Sequence, residues 1–202
     1  MKRYAKTESK YPLPGTPAHL LLAFDLGKRK VGMAVFLCGE GTAKLVGAEV
    51  IAVQDRWSTD VMAAAVQISL KKLLDFASFM PSVFVCEWPQ KYAKGRKFHK
   101  DLDDLYAVGH AIVRKLNNSW SETYTPSEWK GNVPKRAHKK RIVRELTLQE
   151  RATLQTHIAE AMDTTKEEAQ AYLDSPESHD LWDAIGIGLF ATARTRKGGT
   201  RV

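Results

Sequence analysis

Four carboxylates stand at positions where a chain rarely leaves an acid without a reason. Asp25 closes the apolar run Leu20–Phe24, and Glu87 closes the run Ser82–Cys86. Asp180 and Asp183 are three residues apart ahead of the small, apolar stretch Ala184–Leu189. On a helix that spacing gives them one face, and in its first turns the helix dipole favours ionised carboxylates. A charge at the end of a buried strand needs a partner. Converging carboxylates repel one another, and divalent cations relieve the repulsion; Mg²⁺ takes oxygen ligands. Two such ions about 4 Å apart can activate water and stabilise the leaving oxygen of a phosphodiester. Each acid also has an ordinary reading alone. Asp25 can cap a turn, Glu87 can be a solvated loop acid, and Asp180 can be a dipole partner. Asp183, flanked by apolar residues, fits such a reading least. Together the four favour metal.

The elements that must position them follow from the pattern. Leu20–Leu26 and Val31–Leu37 read as strands around the tight segment at Gly27, with Gly32 opening the second. Gly39–Gly41 forms a turn, and Lys44–Val53 is a third strand, so three antiparallel strands open the fold. Thr59 caps a helix that runs to Phe79, stopped by Pro81. Ser82–Cys86 is a fourth strand, and the right-handed crossover makes it parallel to the first. Glu87 should therefore lie beside Asp25. A basic, aromatic loop from Trp88 to Lys100 leads to a helical stripe over Leu102–Leu116, and Trp120–Tyr124 alternates as a strand. Helices are expected over Lys135–Glu145, from the capping box Thr147/Glu150 to Met162, and from Thr165/Glu168 onward. Ser178 is expected to cap the last helix, His179–Arg194. Gly186 and Gly188 weaken that helix by about 1 kcal/mol each relative to alanine. They make sense if it packs closely on the sheet and brings its acidic end to Asp25 and Glu87.

The 202 residues, 44% hydrophobic, fit one domain, 20–194, between a polar basic arm, 1–19, and a basic tail, 195–202. A net charge of +8 points to a polyanionic partner, nucleic acid first. Cys38 and Cys86 lie inside apolar runs and read as core residues. No cysteine pair has zinc spacing, no apolar run is long enough to span a membrane, and no signal peptide is evident. A cytoplasmic protein is the simplest expectation.

The pieces Phe24-Asp-Leu-Gly27, Val85-Cys-Glu87 and His179-Asp-Leu-Trp-Asp-Ala184, in this order and on these element types, resemble the RuvC-type Holliday junction resolvases of the RNase H-like superfamily. Tyr124-Thr-Pro126 with Trp129-Lys130 is similar to the family's strand and basic loop. The resemblance covers about Leu20 to Arg194. It implies an α/β fold with a five-stranded mixed sheet flanked by helices. It also implies a homodimer, with Asp25, Glu87, Asp180 and Asp183 as the catalytic ligands of two Mg²⁺ ions, Mn²⁺ being able to substitute. The implied activity is that of a crossover junction endodeoxyribonuclease, making paired nicks in four-way DNA junctions. The long Leu146–Ser178 segment and the N-terminal arm depart from the cellular enzymes and suggest a phage-borne relative.

Lys130, Lys135, Arg136, Lys139, Lys140 and Arg141 are the candidate phosphate contacts, a solvated basic face being the alternative. Trp88 and Tyr92, just past Glu87, could stack on an unpaired base or simply pack. His179 could support the acidic pair or stand exposed. The stripe over Leu102–Leu116, with Tyr106 and Ile112, could serve a dimer interface or the chain's own sheet. Three rival readings remain. One is a related nuclease acting on another branched or hybrid substrate. Another is a non-catalytic DNA-binding protein with a helix-turn-helix between Lys135 and Met162. The last is an actin-like sugar kinase, which would need a second Asp-x-Gly strand that this chain lacks.

Overall fold

The computed structural model describes residues 18–27, 30–39, 42–52, 58–74, 81–87, 96–116, 121–131 and 133–194. Among the described residues five strands are defined: β1 (His19–Leu26), β2 (Lys30–Gly39), β3 (Thr42–Ala52), β4 (Pro81–Glu87) and β5 (Ser121–Tyr124). They form one sheet in the order β3-β2-β1-β4-β5. β1, β2 and β3 pair antiparallel, whereas β4 runs parallel to both β1 and β5. The helices are α1 (Thr59–Leu74), α2 (Arg96–Lys115), α3 (Pro126–Trp129), α4 (Lys135–Glu145), α5 (Leu148–Met162), α6 (Lys166–Asp174) and α7 (His179–Ala191). A 3₁₀ turn, Pro176–Ser178, precedes α7. This mixed, five-stranded sheet with helices on both faces is the α/β architecture expected from the motifs. No described helix is long and apolar enough to cross a membrane.

The sheet divides the core by strand alternation. Leu20, Leu22, Phe24 and Leu26 of β1 face the layer that holds Met62, Val66, Val108 and Ile112 of α1 and α2. Leu21 and Ala23 face the opposite layer, filled by Ile142, Leu154, Leu181, Ala184 and Ile185. Asp25 continues the Leu21, Ala23 series, and Glu87 continues Val83 and Val85 of the same layer. Both acids thus belong to the face covered by α7. The β1–β4 pairing runs to Phe24 and Cys86, which leaves Asp25 and Glu87 as adjacent next residues.

The structure corrects several expectations. α2 begins at Arg96, so the end of the expected basic loop is helix. An apolar stripe marks only the packed part of a helix. Ile112 is fully buried in the layer between α1, α2 and the sheet, so the stripe of α2 packs on its own chain at that position. α7 ends at Ala191 rather than Arg194, with Thr192 Oγ1 donating back to Gly188 O at 2.9 Å. Ser178 does not cap α7 with its side chain; its hydroxyl is directed at the carbonyls of Leu173 and Ser175, each at 2.9 Å. α3 is additional to the expected elements. A local signal for it exists, since Pro126 sits in its first turn and Glu128 Oε2 accepts from the Thr125 N–H at 2.6 Å.

Candidate active site

Close backbone approach places the acidic end of α7. Gly32 of β2 is the Cα partner of Asp25 in β1. A Cβ at Gly32 would collide with the carbonyl oxygen of Asp180. The first turn of α7 can therefore come down beside Asp25 only because position 32 has no side chain. Further along, Gly188 admits the Phe36 ring of β2, as the expected close packing on the sheet requires. Gly186 does something else: it admits Trp129, Ile142 and His138, from α3 and α4.

The four acids from β1, β4 and α7 gather at one end of the sheet. Burial raises the Asp25 carboxyl well above the ordinary carboxylate range, and the charges of Asp183, Glu87 and Asp180 add to it; Lys130 opposes them. Burial also raises Glu87, against the hydrogen bond from Trp129 and the charge of Lys130. Asp183 is 6% exposed, deep for a carboxylate. Its Oδ2 lies 2.5 Å from Lys130 Nζ and 3.2 Å from His179 Nε2. Its Oδ1 is buried without a hydrogen-bond partner, and His138 Nε2 stands 3.8 Å away. Burial lowers His138 to about 4, so it is neutral at physiological pH.

The charge of Lys130 makes it a candidate for the DNA backbone, whereas its ammonium sits against Asp183 in the acidic cluster. Two further side chains belong to the site: Trp129, which the resemblance puts only in the basic loop, and His138, which carries no expectation from the sequence. Trp129 is 2% exposed and donates from Nε1 to Glu87 Oε2 at 2.8 Å. Its ring meets the His138 ring edge-on, with centroids 4.9 Å apart. A Trp next to a Lys is the only local sign of this arrangement.

The remaining candidates are dispersed. Lys139 Nζ donates to Leu173 O at 2.5 Å, lies 3.3 Å from Asp174 Oδ1 and stands over the Trp182 ring. It ties α4 to α6. Lys140 is exposed and Arg141 half-buried on α4. Lys135 and Arg136 begin α4, but their side chains, like Trp88 and Tyr92, lie outside the described residues.

The donor set suits a hard divalent cation. It is all oxygen, its acids repel one another, and one buried oxygen, Asp183 Oδ1, has no hydrogen-bond partner. Among the described residues no three acids, histidines or cysteines are clustered tightly enough to enclose an ion. Two of the four acids are engaged by side chains instead, Glu87 by the Trp129 N–H and Asp183 by the Lys130 ammonium.

No protein-family model and no curated protein matches the chain. Among solved structures the chain is similar to RuvC of Thermus thermophilus, at 16% identity over 90% of this chain and 98% of that one, with a TM-score of 0.47. It is also similar to fowlpox virus resolvase in complex with Holliday junction DNA, at 16% identity over 86% and 97%, with a TM-score of 0.46. A third is the human cytomegalovirus terminase nuclease domain, at 10% identity over 94% and 86%, with a TM-score of 0.45.

Proposed function

We propose that this chain is a divalent-metal-dependent endonuclease of the RuvC type that resolves four-way DNA junctions by paired nicks. The observation that carries the proposal is the gathering of Asp25, Glu87, Asp180 and Asp183, from three separate elements, at one end of the sheet. Burial raises both Asp25 and Glu87, and the neighbouring acids add to it at Asp25, so positive charge brought to the site favours their ionised forms. Mg²⁺ or Mn²⁺ bound by these four acids would supply that charge, activate water and stabilise the leaving oxygen of the scissile phosphodiester.

The chain's other residues have supporting work in this reading. Lys130 holds positive charge on Asp183, and would be released to meet a phosphate oxygen when cations take the carboxylate. His179, one turn before Asp183, steadies its Oδ2. Lys140 and Arg141 of α4 would position a DNA backbone without reading its sequence, and Lys135 and Arg136, at the start of the same helix, are further candidates for that role. A four-way junction has two-fold symmetry and needs two opposed cuts, which a symmetric pair of subunits would provide.

The test is a panel of labelled substrates with purified protein and Mg²⁺: four-way junction, flap, linear duplex and RNA–DNA hybrid. The expected result is symmetric paired cuts in the junction. Cleavage of the hybrid alone would assign the same site to a ribonuclease. Tight binding without any cleavage would leave a non-catalytic DNA-binding protein.

A further inference from the structure

The Glu87 carboxylate is held by a neutral donor. Trp129 Nε1 gives its hydrogen to Oε2 at 2.8 Å, across 42 residues of sequence. The donor is itself immobilised. The Trp129 ring is 2% exposed, lies edge-on to His138, and fills the space left by Gly186 on α7. The residue is fixed from below by α3, whose start is closed by the Thr125–Glu128 hydrogen bonds. Lys130, the next residue, reaches Asp183 and stands 5.1 Å over the Trp129 ring. One short helix therefore carries adjacent contacts to an acid of β4 and an acid of α7.

We propose that Trp129 is a positioning residue for Glu87. Its indole N–H occupies one carboxylate oxygen and fixes the side chain, leaving the other oxygen for a cation. An N–H donor suits this task because it orients an anion without adding charge that would compete with the cation. Gly186 is part of the same device, since any side chain there would displace the ring. The inference rests on the metal-site reading above and adds to it the group that sets the geometry of one ligand. Outer hydrogen bonds to metal ligands are typically worth about ten- to a hundredfold in metal affinity.

Trp129→Phe keeps an aromatic ring, though a smaller one, and removes the N–H. Manganese binding is measured on the full chain without DNA, by the electron paramagnetic resonance signal of free Mn²⁺, alongside thermal unfolding. The expected result is roughly tenfold weaker binding by Trp129→Phe in a variant that still unfolds cooperatively in EDTA, at a somewhat lower temperature because the buried ring is smaller. In a Glu87→Gln background the same substitution should have no further effect. Equal Mn²⁺ affinity of Trp129→Phe and the wild type would overturn the proposal. If the variant does not fold, the indole resonance of ¹⁵N-labelled wild type decides: it should move in Glu87→Gln and on Mg²⁺ addition. An indole resonance indifferent to both would also overturn it. Wild-type protein that binds no Mn²⁺ defeats the metal-site reading itself, a result distinct from a bound metal indifferent to Trp129.

Discussion

Asp25 is where the proposed function and stability oppose each other in a single side chain. It continues the α7-facing side of β1, yet it is a carboxylate among three others. Burial and repulsion hold its proton more tightly in the folded chain than in the unfolded one. Metal-free stability attributable to Asp25 therefore falls as pH rises from the usual value near 4 through the raised value, and then levels off; each unit of displacement corresponds to about 1.4 kcal/mol. Asp25→Asn should accordingly unfold at a higher temperature than the wild type at pH 8 in EDTA, and the gap should close at pH 4. Saturating Mg²⁺ should remove the wild type's deficit and leave the variant unmoved. The comparison with the variant matters because Glu150 pulls the other way. Burial alone would raise it, but Arg194 and the N–H groups of Leu45 and Thr147 hold it at about 2, so its contribution is lost as pH falls. A wild type more stable than Asp25→Asn in EDTA at pH 8 would mean that the acid has a structural partner instead.

Among the elements, α7 and β2 do most to assemble the site, and they do so through a missing side chain. A methyl group at Gly32 meets backbone, the carbonyl of Asp180, which cannot swing aside as a side chain tip can. Gly32→Ala should cost about 3 kcal/mol, the upper end for overpacking, and should weaken metal binding more than Gly47→Ala, whose added carbon meets the His157 and Leu73 side chains away from the acids. Chemical denaturation and Mn²⁺ titration measure the two effects; similar losses in both variants would detach the close approach from the site. Much of this element layer was legible. The boxes Thr147/Glu150 and Thr165/Glu168 start α5 and α6 where they stand in the sequence, because capping is a local affair. Asp25 and Glu87 could be placed side by side because a right-handed crossover leaves few topologies. Trp129 and His138 could not be assigned to the site, since they reach Glu87 and Asp183 across long stretches of chain with no periodic signal. The charge of Lys130 alone suggests a phosphate contact, while its position is set by the turn that follows α3.

At the scale of the whole molecule, one face of the sheet carries the four acids and α4 carries an exposed cation, Lys140, on the same side. Lys140 is exposed, whereas Lys139 is already committed to α6. Lys140→Ala with Arg141→Ala should weaken DNA binding and reduce the log–log salt slope by roughly 0.9 for each phosphate no longer neutralised. Lys139→Ala should change stability more than slope, and an unchanged slope in the double variant would move the DNA path off α4. The central claim is that four acids from β1, β4 and α7 form one metal-dependent hydrolytic site. Single-turnover cleavage of a labelled four-way junction across a Mg²⁺ titration tests it most directly, with the wild type beside Asp25→Asn and Asp183→Asn. The account predicts saturable, Mg²⁺-dependent paired nicks by the wild type, and junction binding without cleavage by both variants. Cleavage by the wild type in EDTA, or cleavage by either amide variant at the wild-type rate, would contradict it.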